Sequence, residues 1–151
     1  LANNLGNMVS RVMKLGQDVG DERGESDGEI GEEIVEVWSA YEKAMDNLQI
    51  DKGLEAVRRL TDFGNKYIDE NKPWELKKTD PSKFSTIMLE LLEMLRHIAW
   101  MIQPFLPETS DKMLEQLGVA GDRNLDYVDR KKWREFDATK IGEGVALFPR
   151  I

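Results

Sequence analysis

Phe84, Ile87, Met88, Leu91, Leu92, Leu95, Ile98, Met101, Ile102 and Phe105 recur at steps of three and four. On an α-helix of about 3.6 residues per turn this spacing makes one broad apolar face, which other elements must cover. Asp80 is a fitting N-cap, and Pro81 suits the first helical position, where its missing N–H costs nothing. Pro104 stops the run. The segment is not a membrane span, because Glu90, Glu93, Arg96 and His97 break the uncharged stretch of about 18 residues that a span requires. A chain of 151 residues with 40% hydrophobic content has room for one domain with a real core.

The other elements follow the same periodicity. Residues Leu1 to Leu15 predict a helix with Leu1, Leu5, Met8, Val12 and Leu15 inward, and with Asn4, Asn7, Arg11 and Lys14 together on another side. Gln17 to Glu29, punctuated by Gly20, Gly24 and Gly28, predicts a flexible solvated connection. A second helix from about Ile30 to Leu48 places Ile34, Trp38, Tyr41, Met45 and Leu48 on one face. A third, capped by Asp51 and running to about Glu70, turns Leu54, Val57, Leu60, Thr61, Gly64, Tyr67 and Ile68 inward. Gly64 within that stripe permits a close helix–helix approach. Asn71 to Trp74 reads as a loop. After Phe105-Leu106-Pro107 a short helix runs from about Glu108 to Leu117, started by Thr109 or Ser110 and ended by Gly118. The expectation is an all-α bundle of about five main helices over 1–118, with an irregular tail over 119–151 that has a helical turn near Arg130 to Phe136.

The formal charge of −8 is confined to one place. Asp18, Asp21, Glu22, Glu25, Asp27, Glu29, Glu32, Glu33 and Glu36 fall within a stretch whose one base is Arg23, and the remaining residues hold 20 acids and 20 bases. The body is therefore neutral and free to carry a local basic patch. A general binder of phosphate backbone, such as a DNA-binding protein, needs a stripe of positive charge and is disfavoured. Neither DNA nor a membrane is an expected partner. The start has neither the basic nor the apolar region of a signal peptide, and lacking Met it reads as part of a longer polypeptide.

Most catalytic constellations fail on inventory. With one histidine and no cysteine there is no thiolate nucleophile, no Cys/His pair and no zinc cluster, so neither catalytic residues nor a metal site are expected. Absence of cysteine fits a cytoplasmic protein. His97, beside the apolar stripe, reads as a satisfied buried or boundary histidine. No glycine-rich nucleotide cradle is present. What remains is recognition. Asn7 and Arg11, four apart on one helical face, put an amide that donates and accepts beside a guanidinium that reaches a phosphate or stacks on a ring. Trp74, between Pro73 and the lysines Lys72, Lys77 and Lys78, is either a core plug or a stacking platform. Such side chains suit unstacked single-stranded RNA bases; a helical protein-interaction module with Trp74 and the tail docking a partner helix is the other reading.

The same residues carry a family likeness. Leu1-Ala2-Asn3-Asn4-Leu5-Gly6-Asn7-Met8-Val9-Ser10-Arg11 resembles the opening of the anticodon-binding domain of class I aminoacyl-tRNA synthetases, and its N-x-x-S-R core is most similar to the methionyl enzymes. Asn71-Lys72-Pro73-Trp74-Glu75-Leu76 resembles that family's Pro-Trp loop. Gln103-Pro104-Phe105-Leu106-Pro107-Glu108-Thr109 is similar to its helix-breaking turn, and Leu147-Phe148-Pro149-Arg150-Ile151 to its terminal motif. Cysteinyl, isoleucyl, valyl and leucyl enzymes share the bundle and are the nearest rival specificities. The resemblance implies that Asn7, Arg11 and Trp74 read the CAU anticodon of tRNA-Met, with Asn4, Lys14, Lys72 and Pro73 as auxiliary contacts. It also implies that the catalytic domain, with its ATP, Mg and methionine sites, lies elsewhere in a parent that this domain contacts, and that the domain alone holds no cofactor and is inactive. An acidic loop near an RNA-facing helix would repel phosphate, so residues 17–29 are expected to point away or lack order.

Overall fold

Asp80 does cap the central helix: its side chain accepts from the Lys83 N–H at 3.2 Å, and the helix runs from Pro81 to Ile102. A computed structural model describes residues 2–133, 136–137 and 141–142. Its helices are α1 (Ala2–Gly16), α2 (Glu29–Asp46), α3 (Ile50–Asn71), α4 (Pro73–Thr79), α5 (Pro81–Ile102), α6 (Pro107–Gln116) and α7 (Tyr127–Lys131), with a 3₁₀ turn at Ala120–Asn124 before α7. Among the described residues there is no strand, as expected for an all-α bundle.

Helix α5 touches every other helix and is the axis of the domain. Its residues from Ile87 to Ile102 are buried on all sides, including Glu90, Glu93, Arg96 and His97, which the one-sided apolar pattern would leave at a boundary. Helices α2 and α3 form an antiparallel hairpin, with Arg59 of α3 bonding Glu33 and Glu36 of α2 and Gly53 lying against Met45. Trp38 and Tyr41 of α2 bond His97 and the Met101 carbonyl, so residue numbers rise together on both sides and α2 and α5 are parallel. Gly64 sits where α3 meets α1 and α5. A Cβ there would lie 2.3 Å from Met8 Cε and 2.6 Å from Met94 Cε, so the predicted close approach is real.

Two helix ends use the same motif with different residues. After α6, the Gly118 N–H bonds the Glu115 carbonyl and the Val119 N–H bonds that of Leu114, with Gly118 at φ 74° as its position demands. After α2, Leu48 and Gln49 bond Met45 and Ala44 in the same way, but Leu48 holds the left-handed conformation at φ 57°. Its side chain is 87% exposed, so the expected inward Leu48 is corrected: the left-handed turn points it to water.

Other expectations also change. The third helix starts at Ile50 and is flanked by Gln49, so Asp51 lies inside it. The sixth begins at Pro107, and Ser110 is an interior residue whose hydroxyl donates to the Ala99 carbonyl at 2.7 Å. Pro73-Trp74 is the first turn of a helix rather than a loop. The acidic segment is neither pointed away nor without order. Gly24 exchanges hydrogen bonds with Thr86 Oγ1 and donates to the Ser82 carbonyl, Gly20 N–H donates to Ser85, and Tyr67 donates to Asp27 at 2.9 Å. The short polar residues of the first turns of α5 supply the partners that its glycines expose.

Part of the tail docks through Arg96. This fully buried guanidinium bonds both oxygens of buried Glu93, at 2.6 and 2.8 Å, and donates to the carbonyls of Arg130 and Lys132. Burial pushes the Glu93 carboxyl up, but hydrogen bonds from Arg96 and His97 and their charge outweigh it and hold it below its ordinary value. The closing Leu147 to Ile151 motif lies outside the described residues.

Candidate nucleic-acid interface

Contacts between α1 and the α3–α4 unit run in one direction. Asn4 Nδ2 donates to Asp62 Oδ1 at 3.0 Å, Arg11 pairs with Asp69 at 2.7 Å, and Asp18, just past α1, pairs with Lys77 of α4 at 2.7 Å. Residue numbers rise together on both sides, so α1 and α3 are parallel and reach the α3–α4 joint side by side. Asn65 adds a hydrogen bond from its amide to the Asn4 carbonyl.

This ladder places the candidate residues. Asn7 and Lys14 are exposed and Arg11 half-buried on α1, each about one helical turn, or roughly 4.5–6 Å of rise, from the next. Trp74 is 44% exposed, so its indole is a surface group and not a core plug. Along the chain it falls between two ion pairs, Asp69 to Arg11 before the joint and Lys77 to Asp18 after it. Lys72, Lys77 and Lys78 are exposed around it. Pro73 is buried, which removes its ring as an RNA contact and leaves it the role of starting α4. Asn4 is committed to Asp62. Both Asn7 and Trp74 are exposed to solvent.

Lys72 makes the joint. At φ 48° and ψ 62° it is left-handed; its N–H closes α3 on the Ile68 carbonyl, and its own carbonyl accepts from Glu75 and Leu76 to open α4. A non-glycine residue costs about 1–2 kcal/mol in this conformation. The turn redirects the chain within one residue and puts Trp74 on the outer side while Leu76 packs against the core.

The Asp partners on α3 were missed from sequence, although a signal existed: Asp62 and Asp69 are spaced as Asn4 and Arg11 are, two turns apart on parallel helices. The Arg11–Asp69 pair is exposed and contributes at most about 1 kcal/mol to stability, but it orients the guanidinium. Helix α1 thus offers an exposed amide and two cations, Asn7, Arg11 and Lys14, and α4 offers a half-exposed indole, Trp74. These are side chains of the kinds that stack a flat ring, bond a base edge and reach phosphate. Among the described residues no group of three or more acids and histidines is arranged for a metal ion, and no helix is long and apolar enough to cross a membrane.

Residues 18–147 match the family model described as the anticodon binding domain of methionyl tRNA ligase. The methionine–tRNA ligase of Bacillus subtilis is 37% identical over 163 aligned residues, covering all of this chain and 24% of that protein. The free-state crystal structure of Mycobacterium tuberculosis methionyl-tRNA synthetase superposes with a TM-score of 0.87 at 26% identity, covering all of this chain and 32% of that one. A structure of the same enzyme bound by methionyl-adenylate gives a TM-score of 0.83 at 25% identity, covering 99% of this chain and 31% of that one. The chain thus spans about a quarter to a third of the length of the relatives it matches.

Proposed function

Because the chain belongs to the family of anticodon-binding domains of methionyl tRNA ligases, we propose that it reads the CAU anticodon of tRNA-Met for a larger methionine–tRNA ligase. The observation that carries this reading is the exposed Trp74 on α4, which follows a helix tied by the Arg11–Asp69 ion pair to the helix that bears Asn7 and Arg11. Trp74 stacks on one unstacked base, Asn7 bonds a base edge, and Arg11 contacts an edge or the backbone. Cytosine at the first anticodon position exposes its Watson–Crick edge only when the loop is single-stranded, and stacking makes such a state favourable. Lys14, Lys72 and Lys78 add attraction for the loop phosphates.

Chemistry on methionine and ATP is assigned to the rest of the relatives' length, in keeping with the methionyl-adenylate bound to the mycobacterial enzyme. The domain's part is to accept the correct tRNA, in the cytoplasm where translation proceeds, so that its distant acceptor end is presented to that site. The test is binding of RNA hairpins that carry CAU or a loop changed at its first base. Tighter binding of CAU is expected, and Trp74→Ala should lose about 1–3 kcal/mol of loop binding. Equal affinity for both loops, with no effect of the substitution, would overturn the reading and favour a protein-interaction module.

A further inference from the structure

Asp18 is the one acid of the Gly-rich segment that reaches α4. Its carboxylate bonds Lys77 Nζ at 2.7 Å, and Lys77 follows Trp74 by three residues, on the same side of the helix. Asp18 itself is well fixed. Its N–H closes on the Leu15 carbonyl, Val19 beside it packs on the core, and Gly20 two residues on is held by Ser85. Helix α4 is less secure, because seven residues are too few for a helix that stands alone. Its anchors are its packing on α5 through buried Pro73 and half-buried Leu76, the strained Lys72 joint at one end, the Asp80 N–H bonded to the Leu76 carbonyl at the other, and the ion pair to Asp18 on the outer side. The ion pair acts on the exposed side that carries Trp74.

Resting on the anticodon reading above, we propose that Asp18 is a positioning residue: through Lys77 it fixes the orientation of α4, and so presents the Trp74 indole to an incoming base in line with Asn7 and Arg11. An acid placed beside an RNA-binding face opposes phosphate by charge alone. Here that charge is engaged by Lys77. The Arg11–Asp69 and Asp18–Lys77 pairs then act as two ties, one on each side of the Lys72 joint, and both of them oppose rotation of the joint.

The two effects of Asp18 have opposite signs, which makes the experiment decisive. Asp18→Asn makes the face more positive, so charge alone predicts tighter RNA binding, whereas lost positioning predicts weaker binding of the CAU hairpin. The expected result is a loss of about two- to five-fold in affinity, the range open to an exposed ion pair. The swapped chain Asp18→Lys with Lys77→Asp keeps the net charge and restores the tie, and is expected to bind within about two-fold of wild type. In a Trp133→Phe background Trp74 is the one described tryptophan more than slightly exposed, so acrylamide quenching reports on it directly. Quenching should rise in Asp18→Asn and return in the swap, with the thermal midpoint of all three chains alike. Affinity for the hairpin that is unchanged or tighter in Asp18→Asn overturns the proposal, as does a swap that fails to restore it. If Trp74→Ala weakens the hairpin and Asp18→Asn does not, only this inference falls; if neither matters, the anticodon reading falls with it.

Discussion

Arg96→Met should be the most damaging single substitution on the central helix. The guanidinium is fully buried, neutralises buried Glu93 through bonds of 2.6 and 2.8 Å, and ties the backbone at Arg130 and Lys132 to α5. Methionine fills much of the volume but leaves a buried carboxylate without its cation, a change that costs about 3–5 kcal/mol. A domain of this size has roughly 5–15 kcal/mol to lose. At about 2–4 °C per kcal/mol, the melting temperature should drop by roughly 6–20 °C. Urea melts followed by helical circular dichroism give the loss, and hydrogen exchange at residues 127–132 shows whether α7 loosens first. The pH dependence supplies a second check. Glu93 is held below its ordinary value, so its contribution is complete above that value of 4.5 and is lost as pH falls through the folded-state pKa. Wild type should therefore lose more stability than Arg96→Met on acidification below that value. Glu93→Leu with Arg96→Met should recover part of the loss, since no lone charge remains and only the tail bonds are missing. A loss below about 1 kcal/mol in Arg96→Met, with unchanged exchange in α7, would refute the claim that this pair clamps the tail.

Two further substitutions test the local readings. Leu48→Gly should stabilise the chain by up to about 1 kcal/mol in urea melts, because relief of the left-handed strain outweighs the greater freedom of glycine in the unfolded chain; destabilisation would mean that the exposed side chain packs on something. For Glu90, burial raises the carboxyl pKa, a hydrogen bond with Ser26 opposes this, and the charge of Asp27 adds to it. A raised carboxyl costs stability as pH rises from its unfolded-state to its folded-state value, so Glu90→Gln should equal or exceed wild type at neutral pH. That advantage should vanish as pH falls through the carboxylate range, and a Gln variant that is weaker at neutral pH would contradict the sign.

The periodic apolar residues from Phe84 to Phe105, the Asp80-Pro81 start, the Pro104 stop, Gly64 and Gly118 were each readable as physical signals, because spacing, capping and backbone freedom are local properties of a chain. So was the all-α class, whereas the residues proposed for recognition rested on the family likeness more than on their spacing. Contacts between distant residues were not readable in this way. Nothing in the order of residues says that Thr86 holds Gly24, that Arg96 donates to Arg130 and Lys132, or that Asp18 reaches Lys77. The glycine and acid content of residues 17–29 described how that segment behaves in water, whereas the polar first turns of α5 offered its backbone something better than water. Likewise Leu48 and Lys72 occupy conformations that neither residue prefers, since the helices on either side dictate the turn and the side chain accepts the strain. Sequence by itself determined the main helices and the chemistry available on their faces; tertiary structure decided that α4 is a helix and which faces meet, because that depends on the packing of α1 and α3 around α5, which runs them side by side up to the joint before Trp74.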